Sequence, residues 1–449
     1  MKWLKRVLIA VAVLLAAGAA LPFFIPLDGY IPRIEREASA RLGEPVSIKG
    51  IKVAVLPLPH VAIEGITVGK TGDIKLGKVK LIPDLVSLLQ STRVIKSIEI
   101  DSLALTQKAI GRIPAWAKPD AAGPPPVRVT SIRLNNARVD FGRTGFGPFD
   151  ARVNLDGSGE PVDASITTQD GKLKALLRPG KPAYLLDVRA KAWTLPLGPP
   201  LVFDELIVNG TTTFNDASLD QVSAKLYHGT AVGKTAISWR KGLKIEGSFD
   251  VSQLELRQVA SMLSPGTQVS GKLDARPAFS ASAVSVVQLT RALRLESPFT
   301  VRNGAIHGVD IQKAATDLVR QGTSGGETRF EQLSGHLVMK HGSYRFTRLK
   351  IASGTLAADG NVSISPKREL SGRINAQVSA VGTSAGVPLN VGGTLDAPLL
   401  YPTAGTMAGA AVGTAILGPG VGTSIGAKIG GWAEGLFGDQ DDAKPKPAK

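Results

Sequence analysis

From Val46 onward the apolar residues of this chain fall at every second position. Val46 and Ile48 begin the pattern, and Ile51, Val53 and Val55 resume it after a parity slip at Gly50. A period of two puts alternate side chains on opposite faces of a strand, and a slip of one residue marks a bulge. The same signature returns at 60–68, 95–105, 127–141, 184–192, 244–251 and 333–364, with Gly, Asn, Asp or Pro in between. A chain written this way is confined to β-sheet, and the spacing predicts roughly twenty strands. The 50 Gly and 29 Pro, set against 13 Phe, 5 Trp and 5 Tyr, suit many short elements separated by turns. Helical periodicity is confined to Pro83–Leu89, Ser252–Met262, Val286–Leu295 and Val309–Arg320, which read as caps or crossovers on a sheet.

The N-terminus departs from this pattern. Lys2, Lys5 and Arg6 precede an uncharged run from Val7 to Leu27. A basic flank before an apolar run predicts a cytoplasmic stub and export of the remainder, so residues 1–27 read as a single membrane anchor with the body facing outward. A cleavable signal peptide is the competing reading, because Ala17-Gly18-Ala19 suits cleavage. Tyr30–Leu42 then patterns as an amphipathic helix with Ile34, Ala38 and Leu42 on one face, ended by Gly43 and Pro45. That face suits a membrane surface or the entrance to the first strand.

With 449 residues the chain admits two or three domains or one elongated repetitive body. Pro-rich stretches at 114–126 and 196–200 are the candidate boundaries, giving segments 28–113, 127–402 and 403–438 and a charged, disordered tail at 439–449. There is no cysteine, which excludes disulfides, thiolate nucleophiles and cysteine-bound metals. The formal charge of +16 attracts polyanions. An exported body without clustered aromatic platforms points to anionic lipid and away from nucleic acid.

Catalytic signatures fail one by one. The five histidines lack metal-binding spacing, although His336 and His341 could approach across a hairpin. Gly233-Lys234-Thr235 has a phosphate-loop flavour, but its first glycine, Gly229, is a residue too close, so it reads as a turn. The glycines after Gly420 miss the dinucleotide spacing. The expectation is a protein that is not an enzyme and needs no cofactor or metal.

Two regions carry candidate binding residues. Between Leu333 and Val381, turns are expected at His341-Gly342, Ser353-Gly354, Asp359-Gly360 and Pro366-Lys367. Alternation places Leu337 and Met339 on one face, and likewise Tyr344 and Phe346, with Lys340, Arg345 and Lys350 opposite. A slip near Thr347 gives Leu349 and Ile351 a common face of their own. Such an apolar face needs a second sheet, a helix or an apolar ligand to cover it. In the second region, Gly405, Gly409 and Gly413, then Gly422, Gly426 and Gly430, recur every four residues around Gly418-Pro419-Gly420. This spacing predicts two apolar helices packed as a hairpin, able to enter one leaflet or plug a groove, with a flexible Gly/Ala tail as the alternative.

The segment "IPRIEREASARLGEPVSIKGIKVAVLPLPHVAIEGITVG" (Ile31 onward), and from Val301 "VRNGAIHGVDIQKA" followed by "GGETRFEQLSGHLVMKHGSYRFTRLKIASGTLAADGNVSIS" and "VPLNVGGTLDAPLLYPT", resemble a short member of the AsmA family, whose larger relatives include TamB- and YhdP-type envelope proteins. The resemblance implies a mainly β fold: a long, curled antiparallel sheet forming an apolar groove like that of bridge-type lipid-transfer proteins, with a few short helices and one N-terminal transmembrane helix. It implies phospholipid or other envelope-lipid binding or transfer by a single-pass protein of the inner membrane with its body in the periplasm; the C-terminal hairpin adds a second membrane at that end as an expected partner. It supplies no catalytic residue and no protein partner. A structural or assembly role in outer-membrane protein or lipopolysaccharide maturation is the alternative.

Overall fold

The computed structural model describes residues 27–54, 58–87, 90, 92–110, 127–142, 144–196, 200–240, 242–263, 269–284, 286–380, 383–417, 419 and 421–437. The expected anchor (apart from Leu27), the Pro-rich linker at 114–126 and the tail at 439–449 lie outside these residues. Among the described residues no helix is long and apolar enough to cross a membrane. The fold is mainly β, with twenty-four strands and short helices described, in two compact units: residues 1–198 with 205–217, and 199–204 with 218–449.

In the first unit a 3-10 turn, Leu27–Tyr30, leads into helix α1, Ile31–Leu42. Pro32 stands in its first turn, and Gly43 closes it in the left-handed conformation at φ 65°. The helix is tied to the first strand by its own side chains. Ser39 Oγ accepts from the Val46 amide at 2.9 Å, and Glu35 Oε1 accepts from the Ile48 amide at 2.7 Å. Strands β1 (Val46–Ser47) and β2 (Gly50–Ala54) both pair with β3 (His60–Val68), and the irregularity foreseen at Gly50 occupies the two residues before it. An antiparallel meander continues through β4 (Ile74–Pro83) to β5 (Arg93–Thr106). The helix expected at Pro83–Leu89 is not formed over its described residues. Pro83 ends β4, Leu85 and Val86 form a turn and Ser87 is in 3-10 conformation, with the Ser87 amide donating to the Asp84 carbonyl at 3.1 Å.

Helix α2 (Gln107–Ile110) comes next, and the chain then returns to the starting end of β5. Strands β6 (Val127–Val129) and β7 (Ser131–Asp140) therefore lie parallel to β5, with Val127 opposite Arg93. These two joins to β5 are the parallel exceptions among the described strand pairs, which are otherwise antiparallel as expected. Strands β8 (Gly145–Leu155), β9 (Pro161–Thr168), β10 (Leu173–Arg178) and β11 (Tyr184–Thr194) extend the unit antiparallel. Strands β12 (Val202–Thr212) and β13 (Asp216–Leu226) are divided between the two units.

In the second unit β14 (Gly229–Ser238) pairs with β15 (Leu243–Glu255), so Gly233-Lys234-Thr235 lies inside a strand and not in a turn. Helix α3 (Leu256–Leu263) is shorter than expected because Ser252–Glu255 stays in β15. Strand β15 also pairs with β16 (Val269–Ala275) and β17 (Ala278–Ala283), and both of these pair with β18 (Arg294–His307) after helix α4 (Val286–Ala292). Helix α5 (Ile311–Asp317) is capped by Asp310, whose carboxylate accepts from the Lys313 amide at 2.8 Å. The chain continues as a meander of β19 (Glu327–Lys340), β20 (Ser343–Ala352), β21 (Leu356–Ile364), β22 (Leu370–Ala380), β23 (Thr383–Gly393) and β24 (Pro398–Pro402), and then as helices α6 (Ala404–Leu417) and α7 (Val421–Phe437). The β19–β20 hairpin turns at His341-Gly342, both at positive φ, as a tight reverse turn requires. Asp359-Gly360 is not a turn but part of β21: a Cβ at Gly360 would collide with the Arg373 carbonyl oxygen of β22. Glycine is needed there for close approach between strands.

Candidate functional site: an apolar sheet face

The registers of the first unit align apolar residues into two uninterrupted rungs, each crossing nine strands. One runs Val53, Val61, Leu81, Ile98, Ile132, Val153, Ala164, Leu177, Leu186. The other runs Ile51, Ile63, Val79, Ile100, Leu134, Ala151, Ile166, Ala175, Val188. Of these only Ile51 and Val79 are buried; the rest are half-buried. A sheet face closed beneath a second layer would bury nearly all of them.

The opposite face is charged and laced with ion pairs. Lys80 reaches Glu99 and Asp101, Arg133 reaches Glu99, and Lys52 pairs with Glu64 at 2.9 Å. The Asp101 carboxylate accepts from Asn135 Nδ2 at 2.7 Å, and that bond, with Lys80 beside it, holds its pKa below the ordinary carboxylate value. A depressed folded-state pKa stabilises the fold above the unfolded value of about 3.9, and that stabilisation is lost as pH falls through the folded one. Accordingly, the denaturation midpoint of Asn135→Ala is expected to lie below the wild-type midpoint at pH 6 and to converge on it as pH falls from about 4 toward 2.

One end of the apolar face is closed. Beyond a line of irregular positions, Gly65, Ser102, Asn136 and Gly147, all at positive φ, the side chains of Val68, Ile74, Leu103, Ala137 and Phe149 are buried with Ala109 of α2, and Leu42 of α1 packs against them. Bulges bend strands and shift which residues face inward, so this line separates a helix-covered end from the half-exposed rungs.

The second unit repeats the arrangement with the residues singled out in its sequence. Met339 stands opposite Tyr344, and Leu337 opposite Phe346. These pairs extend into longer rungs: Phe279, Leu295, Met339, Tyr344, Ile364, Leu370, and alongside them Leu337, Phe346, Val362, Gly372, Val391, Leu400. The slip near Thr347 is a bulge with Arg348 at φ 52°. It does not give Leu349 and Ile351 a separate face but returns both to the face of Phe346. Leu349 lies over Gly335, beside Phe299, and Phe299 meets Phe346 edge-on at 6.0 Å. Ile351 pairs with Leu333 and Ala358.

Here too a helix closes one end. Ile311, Ala314 and Ala315 of α5 bury Leu356, Ala358, Ile374, Ala376, Val387 and Leu389, with Ile351 packed alongside. All six candidates, Leu337, Met339, Tyr344, Phe346, Leu349 and Ile351, are half-buried. Ile351 stands nearest the covered end, and Met339 and Tyr344 lie farthest from it along the strands. His336 Nε2 donates to the Glu296 carboxylate at 2.8 Å and is not brought to His341, which sits in the turn. A depression of about 830 Å³ beside α5 is lined by Asp310, Lys313, Asp317, Glu327, Arg329 and Glu331, too charged a lining for an acyl chain.

The two C-terminal helices pack as a hairpin through their glycines. A Cβ at Gly409 would collide with the Gly426 carbonyl oxygen and lie 2.8 Å from Gly430 Cα, and one at Gly430 would collide with the Gly405 carbonyl oxygen. Gly413 and Gly422 lie within the same helices. The hairpin base is seated on β23, with Gly431 against the Pro388 ring and Thr406 Oγ1 donating to the Pro388 carbonyl at 3.4 Å.

These features define a class: a mainly β protein whose amphipathic sheets present long apolar rungs on a face that short helices cover at one end. The AsmA family model matches residues 1–111, which contain α1 and β1–β5, and this match supports membership of the AsmA family. The match takes in the Ile31–Val68 segment and ends before the 301–402 block. No curated protein and no solved structure significantly matches the chain.

Proposed function

We propose that the chain binds phospholipid or another acyl-chain lipid of the cell envelope along these apolar rungs, as a carrier or conduit and not as an enzyme. The observation that carries this reading is the pair of apolar rungs crossing nine strands of the first unit while remaining half-exposed. An apolar surface of that extent is stable in water only against an apolar partner. Acyl chains fit it because the rungs offer continuous hydrocarbon contact and no polar group to fix a headgroup. The AsmA match and the basic flank at Lys2, Lys5 and Arg6 support a setting at the inner membrane with the body on its periplasmic side. In the groove reading, each sheet face curls around the lipid.

The test is photo-crosslinking in the full chain in its native membrane. A crosslinker at Ile98, Leu134, Met339 or Phe346 is expected to yield lipid adducts, and one at Arg133, Lys340 or Arg345 is not. Equal labelling of both faces overturns the reading. Adducts to protein alone favour an assembly factor whose apolar face is a docking surface.

A further inference from the structure

The C-terminal hairpin carries apolar surface that its own packing does not use. Its first helix, Ala404–Leu417, contains no charged residue and is apolar on every side, yet Val412 is 59 % exposed and Ile416 73 %. Ile429 on the second helix is 61 % exposed. A helix apolar all round belongs in a protein core or in lipid. The two helix backbones meet directly through their glycines, and the side chains of Val412, Ile416 and Ile429 point away from that contact and are left exposed. Toward the turn the helices are held by a Thr414–Thr423 hydroxyl pair, and Thr414 donates to the Ala410 carbonyl at 2.8 Å, leaving no unpaired hydroxyl on that side chain. The end of the hairpin can therefore leave water without stranding those polar groups.

We propose that this hairpin dips its turn end into one leaflet of a lipid bilayer. The charge pattern sets the depth. Lys428 is the first charge after the turn, seven residues past Val421, or about 11 Å at 1.5 Å per residue. One leaflet of hydrocarbon is about 15 Å deep, so with the turn buried Lys428 stands near the headgroups, where a lysine amine is at ease. Lys428 is exposed, and the chain's formal charge of +16 favours an anionic lipid surface. The seat on β23 fixes the base of the hairpin, so the leaflet lies beyond the turn. A second copy of the chain is a poorer occupant, since a helix dimerising in water keeps a polar outer face and this one has none. The proposal does not depend on lipid binding along the rungs.

The chain's lack of cysteine permits a direct test. Ile416→Cys and Ala408→Cys, each labelled with a polarity-sensitive dye in the full chain, are mixed with vesicles of phosphatidylethanolamine and phosphatidylglycerol carrying acyl-chain quenchers. The dye at 416, near the turn, is expected to shift to the blue and be quenched, and the dye at 408, near the base, to remain water-like. Val412→Asp is expected to weaken the signal at 416 on the order of a hundredfold in lipid titration. Lys428→Glu is expected to weaken it on anionic vesicles only. A water-like dye at 416 on vesicles that the protein demonstrably binds overturns the proposal. Shielding at 416 without lipid, together with a doubled mass in solution, overturns it in favour of self-association.

Discussion

Truncating Leu389 to alanine is expected to destabilise the second unit by about 2–5 kcal/mol, the range for deleting a buried leucine side chain into a site that cannot fully collapse. Leu389 is 0 % exposed, opposite Ile374 and among the residues that α5 covers. Leu337→Ala, on the half-exposed part of the same face, is expected to cost about 1 kcal/mol, because a partly hydrated side chain gives up less transfer free energy and leaves no closed cavity. Amide exchange of β22 and β23 under increasing denaturant reads the first change, and that of β19 and β20 the second. Equal costs at the two positions would show that the face is a closed core from end to end, and the lipid-binding proposal would lose its main support.

Met339→Asp has the second large effect, and it falls on binding. Met339 is half-buried opposite Tyr344, in a rung with Leu295 and Ile364. An ionised carboxylate in contact with acyl chains costs several kcal/mol unless water or a partner reaches it, so lipid recovered with the purified protein is expected to fall at least about tenfold. With no lipid in place the new carboxylate can hydrate, and the melting temperature is expected to change little. Unfolding in place of lipid loss would mean that the rung is sealed against water. Val338→Asp, on the opposite and 37 % exposed side of the same strand, is the matched control and is expected to leave both readings unchanged.

How much was legible in the sequence depends on how local each signal is. Alternation is local, so it placed Leu337 with Met339 and Tyr344 with Phe346 correctly, and the registers added only that these pairs stand opposite one another. The bulge at Arg348 appeared as a parity slip, but which face the chain resumes depends on Gly335 across the hairpin leaving room for Leu349. Asp359-Gly360 looks like a turn because glycine is ambiguous in sequence; the demand for it comes from the neighbouring strand. The parallel join of β5 and β7 had no visible signature, since nothing in residues 93–106 says which later strand will lie beside them. The nine-strand rungs of the first unit escaped notice as a site for the same reason. Each strand contributes one ordinary Val, Ile, Leu or Ala to a rung, and the binding surface exists only once registers line them up.

The order of pairing also has a temporal consequence. From β7 to β11, and again from β18 to β24, each strand lies beside the one before it in the chain, so every step of assembly is the closure of one hairpin onto an edge already present. Such contacts are short in sequence and form on the microsecond scale of hairpins, without a long search. A chain delivered from its N-terminus can add strands in the order in which they appear, never exposing more than one unpaired edge at the growing end. The exception is β7, which must wait for the crossover from 107 to 126 to return it beside β5. Until it docks, the β1–β5 strands and the β7–β11 meander each keep a free edge, so this parallel join is the non-local step among the described pairings of the first unit.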